Sequence, residues 1–460
     1  MSRTAAKQRV SARQRTSTEP LGPQSFLDFV RYFLPAHVWR QAQQLPGAPS
    51  KKIRWSLQPL LLVLLGMTWC VGDSQEERFE TARAFCVCCT QKRKRPGQTL
   101  KGFEAALGRL PMRVLRVFAA GMRQQIQRHL AAWLTTHGFI ILGCDGARME
   151  APRSSELEKR LGQAGKAESA PTVYVTALVH VATGLLWAWQ LGLGTASEHY
   201  HLLGLLRTVP ANVLVVADAG FCGYELFRAL VEQNHGFLFR ASSRAYLYTE
   251  EHVRLKRFRE GIVYYWPGWA QKQQRPPLRL RLLCIRGRKV NVWLLTNVLD
   301  AARLPHGVAG QIYRWRWQNE GFFRTYKRTL SKFKLKSRSV ALIHREVEGS
   351  LLAVQLILAH GTLALQQHRA EPVTRPSARQ VLLAVRKEMQ WQIGMHLGKR
   401  QHQTYLERLR NAQLEQRQRL SRKASREWPR RKKHRPPAAP NLRMMPRTVK
   451  ALKKRLEYAA

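Results

Sequence analysis

The protein has 460 residues, of which 45% are hydrophobic and 9% aromatic. It is long enough for two or three packed domains and too apolar for wholesale disorder. Lys and Arg number 78 against 29 Asp and Glu, which gives a formal charge of +49. An enzyme that acts on small molecules does not need the strong positive field that this charge creates. Repulsion among the basic side chains also opposes folding unless a polyanion neutralises their charge. Nucleic acid is therefore the expected partner.

The N-terminal part of the chain is basic at first and then helical in pattern. Residues 1–24 carry basic side chains with no apolar run behind them, which predicts a disordered arm and not a secretory signal peptide. Helical periodicity starts behind a Ser25-x-x-Asp28 cap and predicts a helical domain over residues 25–137. The basic cluster at residues 92–95 either contacts DNA or forms a solvated charged surface.

A long uncharged stretch between Trp55 and Gly72 raises the question of a membrane span. Its uninterrupted apolar part covers about 13 residues, whereas a bilayer needs about 20. The pattern predicts a buried core helix and no membrane partner. The seven cysteines have no disulfide-framework spacing, which indicates a reducing cytosol.

From residue 138 the periodicity changes from helical to strand-like. Short apolar runs predict strands at 139–144, 172–181 and 185–193, of which the last two form a hairpin. Helices and strands then alternate up to residue 240, which predicts a mixed α/β sheet with helices on its faces.

The rest of the chain returns to strands and then to helices. Strand-like runs within residues 245–299 predict an inserted β subdomain, and helices are expected from about residue 310 to about 420. Residues 421–460 carry basic charge and little apolar content, which predicts a flexible basic tail.

Two carboxylates follow buried strands within the α/β region. Asp145 comes after the run Ile-Ile-Leu-Gly-Cys, and Asp218 comes after Val-Leu-Val-Val-Ala. An acid at the carboxyl end of a strand projects from a rigid sheet edge, although aspartate is also an ordinary turn former. On neighbouring strands, the two acids could bridge hard cations and leave positions open for phosphate oxygens and water.

The segment from Tyr313 to Lys327 carries the strongest functional pattern. At 100° per residue, Arg316, Glu320 and Lys327 lie about 300°, 340° and 320° from Tyr313, so all four share one helix face. The single acid on this face cannot pair with both cations, which are therefore expected to meet phosphates. An adjacent apolar stripe would dock the helix onto the sheet and consists of Trp315, Phe322, Phe323 and Tyr326.

These motifs resemble those of the insertion-sequence transposases of the DDE class that carry a Tyr-Arg-Glu-Lys signature. The resemblance covers about residues 138–345. It rests on the spacing Tyr-x2-Arg-x3-Glu-x6-Lys, on Asp-Gly and Asp-Ala-Gly-Phe after the two strands, and on a Trp-Leu-Leu-Thr-Asn run. It implies a ribonuclease H-like catalytic domain with a β insertion. Together with the periodicity and charge on either side, the expected fold is α/β, with this domain preceded by a helical domain and followed by a helical basic tail. The resemblance also implies that Asp145, Asp218 and Glu320 are catalytic and bind two Mg²⁺ ions, for which Mn²⁺ can substitute.

The same resemblance implies how the protein meets DNA. Tyr313, Arg316 and Lys327 would bind phosphates of the transposon end. Trp293 is a candidate for stacking on a flipped base, although its strand position could equally direct it into the core. The implied partners are double-stranded DNA, at transposon ends and target, and a second copy of the chain on paired ends. The implied location is the bacterial cytoplasm, in association with the nucleoid.

The expected reaction is cutting at the ends of an insertion sequence and joining of those ends to target DNA by two-metal-ion hydrolysis and transesterification. Two alternatives use the same fold: a structure-specific nuclease, and a catalytically silent DNA-binding derivative. An RNA-binding basic protein would explain the charge but not the three acids.

Overall fold

Seven helices occupy the N-terminal third of the computed structural model, which describes residues 22–90, 95–162, 170–287, 291–331, 334–368, 375–394 and 409. The first begins at a capping box in which the Ser25 hydroxyl accepts a hydrogen bond from the Asp28 backbone N–H at 3.2 Å. The helices are α1 (Phe26–Phe33), α2 (Ala36–Gln44), α3 (Leu57–Trp69), α4 (Gln75–Thr90), α5 (Leu100–Arg109), α6 (Met112–His129) and α7 (Ala131–Leu134).

A mixed sheet follows, in which helices alternate with strands. Its first part contains β1 (Thr135–Thr136), β2 (Phe139–Glu150), α8 (Ser155–Leu161), β3 (Thr172–His180), β4 (Leu186–Leu193), α9 (Glu198–Leu205), β5 (Val213–Ala217), α10 (Tyr224–Glu232) and β6 (Gly236–Arg240). Its second part contains β7 (Leu247–Tyr248), β8 (Gly261–Tyr265), α11 (Gly268–Lys272), β9 (Leu278–Ile285) and β10 (Val292–Thr296). The prediction of a mixed α/β architecture around a central sheet is confirmed.

The strand order in the described sheet is β4-β3-β2-β5-β6-β10-β9-β8-β7, with β1 beside β2. Strands β2, β3 and β4 are antiparallel, whereas β5 and β6 run parallel to β2. Every residue of β3 is buried because both faces of the sheet are covered there.

The strands between residues 245 and 299 differ from the expected inserted subdomain. Strand β10 pairs antiparallel with β6, and β9, β8 and β7 continue the same sheet from it. The segment therefore extends the central sheet. Pairing with β6 supplies backbone hydrogen bonds that a separate small sheet would have left open at this edge.

The last described helices are α12 (His306–Trp315), α13 (Trp317–Arg324), α14 (Val340–Gln367) and α15 (Ala378–Gly394), with a π-helical turn at Thr325–Thr329. Helix α14 is apolar enough and, at 28 residues, long enough to cross a membrane, but its most apolar window is completely buried inside the protein. It packs against α3 and α6 on one side and against β4 on another. It is thus the central core helix, and the predicted helix at Trp55–Gly72 is buried beside it as α3.

The described residues all belong to one compact unit, which spans residues 1–414. Several expectations lie outside them: most of the basic arm, the loop at residues 92–94, and the basic tail from residue 421.

Candidate active site at the β2 and β5 strands

The register of the sheet brings Asp145 and Asp218 side by side. Strands β2 and β5 pair in parallel with Gly143 opposite Val216, and the same register continued by two residues sets Asp145 against Asp218. Asp145 is not at a strand end as predicted. Strand β2 runs on to Glu150 because β3 pairs with it along that whole length, whereas β5 stops at Ala217.

Each aspartate is oriented by a backbone N–H close to it in sequence. Asp145 Oδ1 accepts from the Gly146 N–H at 2.8 Å. Asp218 caps a short 3-10 turn (Ala219–Phe221), and its Oδ1 accepts from the Gly220 N–H at 2.8 Å. Both carboxylates therefore keep a second oxygen for another ligand.

Glu320 joins this pair through the packing of its helix. Helix α13 packs against β2 and β3, and Glu320 lies half-buried in its first turn. The pKa of Asp145 is raised, first by burial and then by the charges of Asp218 and Glu320, while the Gly146 N–H and Arg316 oppose the rise. The charges of Asp218 and Glu320 thus act on Asp145, the third acid predicted from the sequence.

The segment that carries Arg316 and Lys327 is not one continuous α-helix. Helix α12 ends at Trp315, α13 starts at Trp317, and the π-helical turn follows. The π turn inserts an extra residue per turn, so the single stripe calculated for an ideal helix does not hold up to Lys327. The apolar part of the prediction is borne out by the burial of Phe322, Phe323 and Tyr326.

Arg316 lies between two aromatic rings. Its guanidinium is 5.6 Å from the centroid of Tyr313 and 4.9 Å from that of Trp317. Its buried Nε has no hydrogen-bond partner among the described residues. Burial raises the pKa of Tyr313, and Arg316 and Arg240 oppose that rise. A guanidinium with an unused donor, close enough to Asp145 to affect its pKa, can take an anionic ligand at this site.

Lys327 is half-buried and close enough to Asp145 for that charge to affect its pKa. Burial lowers its pKa, and the charges of Asp145 and Glu150 counteract this. Spacing along the helix leaves Lys327 without an acidic neighbour, and the fold corrects the expectation drawn from it. Strand β2 places the carboxylates of Asp145 and Glu150 near the Lys327 ammonium group.

Trp293, the candidate for base stacking, is only partly accessible. It is half-buried against the main core, with its ring 5.6 Å from Phe258 in an edge-to-face arrangement. A different tryptophan, Trp317, is 59% exposed beside Arg316. Its place directly after the signature arginine was visible in the sequence, but its exposure was not.

Glu198 is a further acid at this site and received no role from the sequence. It is the first residue of α9, and its Oε1 lies where a side chain at Gly146 would begin. Burial, Asp145 and Asp218 raise the pKa of Glu198 to about 7 against the opposing charge of Arg148. No local pattern signals this residue, because it approaches Asp145 only through the packing of α9 on β2.

The donor set suits a divalent cation. Carboxylate oxygens are the ligands that Mg²⁺ prefers, and a cation would offset the burial and the neighbouring charges of Asp218 and Glu320 that raise the pKa of Asp145. In the described part of the chain no group of three His, Cys, Asp or Glu side chains is arranged to hold a metal ion by itself.

Comparison with known proteins identifies this region. Residues 138–356 match the family model of the transposase DDE domain. The chain is 26% identical over 233 residues to the transposase InsG for insertion sequence element IS4 of Escherichia coli (strain K12), a match that covers 48% of this chain and 52% of the relative. The chain thus spans about half the length of that curated relative.

Similar solved structures include the piggyBac transposase synaptic complex with hairpin DNA, determined by cryo-electron microscopy. The similarity has a TM-score of 0.37 at 11% identity and covers 79% of this chain and 87% of that one.

The region that contains Asp145, Asp218 and Glu320 is a transposase DDE domain. This region of the chain is similar to the insertion-sequence transposases of the DDE class, as its motifs indicated.

Proposed function

We propose that this protein is a DNA transposase that cuts at the ends of an insertion sequence and joins them to target DNA. The observation that carries the proposal is the convergence of Asp145, Asp218 and Glu320 within a transposase DDE domain. The strand order supports a ribonuclease H-like core, since a central β2 has an antiparallel pair on one side and parallel strands on the other.

The three acids would hold two divalent ions, Mg²⁺ in the cell and Mn²⁺ as a substitute. When bound, such ions supply Lewis acidity to a phosphodiester and to the water or 3′-hydroxyl that attacks it. In the protein itself, the Gly146 and Gly220 N–H groups fix one oxygen of each aspartate, which leaves the other free for this role.

The basic and aromatic groups around the acids would position DNA. Arg316, whose Nε has no partner among the described residues, would bind a phosphate of the transposon end, as would Lys327. The Tyr313 hydroxyl, with its pKa raised by burial, stays protonated at neutral pH and can donate to a phosphate oxygen. A base could stack on Trp293 or on the more exposed Trp317.

The partners follow from the charge and the reaction. A chain of charge +49 is suited to double-stranded DNA at both transposon ends and target, and a homodimer would hold the paired ends. The bacterial cytoplasm, in association with the nucleoid, is the corresponding location.

The test uses the full-length protein and a plasmid that carries its own gene with a few hundred flanking base pairs, in Mg²⁺. The wild type is expected to cut near the gene's ends and to insert them into a second plasmid. Asp145→Asn, Asp218→Asn and Glu320→Gln should each reduce cutting by at least a hundredfold and change DNA affinity less than about threefold, because they alter ion binding and not phosphate contacts.

Glu232→Gln is the matched control, since Glu232 is paired with Arg228 at the surface. Cutting without insertion would identify a structure-specific nuclease, and selective binding without cutting a catalytically silent derivative. Either result would overturn the transposase assignment.

A further inference from the structure

The start of helix α9 lies against backbone next to both aspartates of the candidate site, Gly146 in strand β2 and Gly220 in the 3-10 turn. The His199 Nε2–H donates to the Gly220 carbonyl at 2.7 Å, and its ring stacks on Phe221 with a centroid separation of 5.9 Å. Gly220 is also the residue whose N–H binds Asp218. His199 therefore fastens α9 to the turn that orients Asp218.

Glu198, one residue earlier, occupies the corresponding place beside Asp145. A Cβ atom built on Gly146 would lie 2.4 Å from Glu198 Oε1 and 2.4 Å from the Tyr174 hydroxyl. A side chain at position 146 would therefore displace both the Glu198 carboxylate and the Tyr174 hydroxyl. Because the Gly146 N–H binds Asp145, the Glu198 carboxylate lies directly against the peptide unit that orients the first aspartate.

The charges around Glu198 are mostly of its own sign. Within the described chain no Lys or Arg forms an ion pair with it. The nearby Arg148 stacks on the Tyr174 ring at 4.7 Å, and its Nε donates to the Gly194 carbonyl at 2.9 Å. A chain with 78 basic and 29 acidic residues thus places Glu198 beside two other acids, an arrangement that a cation would stabilise.

We propose that Glu198 is a fourth carboxylate of the catalytic centre and binds a divalent cation together with Asp145 and Asp218, with His199 positioning the start of α9. This inference rests on the proposed function, since it assigns Glu198 to the ion site of the same reaction. Gly146 is the residue that makes the approach of Glu198 possible.

Calorimetric titration of Mn²⁺ into the full-length protein without DNA tests the assignment. Glu198→Gln keeps the shape of the side chain and should weaken Mn²⁺ binding on the order of tenfold. Gly146→Ala should weaken it as well, because the added methyl displaces Glu198. Thermal unfolding and DNA affinity, measured in parallel, report whether each variant is folded.

Two controls accompany these variants. Glu232→Gln removes a surface carboxylate, and Gly268→Ala adds a methyl where no atom lies within 4 Å, so both should leave Mn²⁺ affinity unchanged. A second readout is cleavage of the backbone by Fe²⁺ and peroxide, which is expected near residues 145, 198 and 218 of the wild type.

The outcomes separate this inference from the proposed function. If Asp145→Asn weakens Mn²⁺ binding and Glu198→Gln does not, Glu198 is no part of the ion site and this inference fails while the proposed function stands. If Asp145→Asn also leaves Mn²⁺ affinity unchanged, the ion assignment of the proposed function fails with it.

Discussion

A buried histidine at the end of β3 shows how one residue carries a pH dependence. The His180 Nε2–H donates to the Leu134 carbonyl at 2.9 Å, and Nδ1 accepts from the Thr183 hydroxyl at 2.8 Å. Burial lowers the pKa of His180 to about 4, although the hydrogen bond to Leu134 opposes this. A proton on Nδ1 would face the Thr183 backbone N–H, so the folded protein keeps this ring neutral.

Acid should therefore destabilise the fold through His180. Between the ordinary pKa of about 6.5 and the folded pKa, the unfolded chain binds the extra proton, so stability falls as pH drops through this window, by roughly 3 kcal/mol for this group. Urea unfolding of wild type and His180→Asn at pH 7, 6, 5 and 4.5 measures this, and the variant should show the weaker pH dependence. His37→Asn, at an exposed position, should retain the wild-type slope. Equal slopes in wild type and His180→Asn would contradict the prediction.

A single carboxylate in α14 connects three elements. Glu348 is 1% exposed; its Oε1 lies 3.2 Å from the Arg116 guanidinium of α6, and its Oε2 accepts from the Trp189 Nε1–H of β4 at 2.6 Å. Burial raises the pKa of Glu348, whereas Arg116 and Trp189 lower it. The buried Glu348 carboxylate of α14 thus links the N-terminal helix α6 to strand β4 of the sheet.

Removal of Arg116 should show how much a buried Glu348 carboxylate without its cation destabilises the fold. Arg116→Ala leaves the Glu348 carboxylate without its cation and should lower the free energy of unfolding by about 1–3 kcal/mol, less than for a fully buried pair because the arginine is half exposed. Combining it with Glu348→Gln removes the charge, so the double variant should lose less stability than Arg116→Ala alone. Denaturant unfolding of both variants measures this difference.

The exposed Arg228–Glu232 pair is the control for this experiment. Arg228→Ala should change the free energy of unfolding by no more than about 0.5 kcal/mol. If Arg116→Ala were equally mild, Glu348 would not depend on its cation, and the connection between α6 and α14 would be one of apolar packing alone.

At the scale of the whole molecule, charge is the dominant property. Residues 401–460 contain 18 Lys or Arg against four Asp or Glu, and apart from Leu409 they lie outside the described residues. Such a segment is expected to add affinity for any DNA sequence, because each phosphate that it neutralises releases condensed counterions.

Truncation after residue 420 should therefore weaken binding to random DNA and flatten the plot of log K against log salt, by about 0.9 for each phosphate that the shortened protein no longer neutralises. Preference for end DNA over random DNA should persist. Fluorescence titrations of matched duplexes at several salt concentrations measure both quantities, with a tail of equal length whose basic residues are glutamine as the control. An unchanged slope would mean that the segment does not bind DNA, and loss of preference would mean that it reads sequence.

Local sequence determined the features that depend on near neighbours in the chain. The Ser25 cap, the buried α3 and the apolar stripe of α13 follow from helical spacing, and the two aspartates of the candidate site were found because each follows an apolar run. These patterns suffice because burial of a helix face or a strand is set by residues within one or two turns.

Tertiary structure decided the features that depend on distant segments. Strand β2 extends beyond Asp145 because β3 pairs with it there. Pairing of β10 with β6 joins the later strands to the central sheet. Packing of α9 places the Glu198 carboxylate against Gly146. Each joins segments about 20 to 60 residues apart, and no local periodicity encodes such contacts. The sequence by itself therefore indicated a DDE transposase domain and three candidate acids, whereas the proximity of Glu198 to Gly146 emerged only from the packed fold, because it requires helix α9 to pack on strand β2 at a glycine.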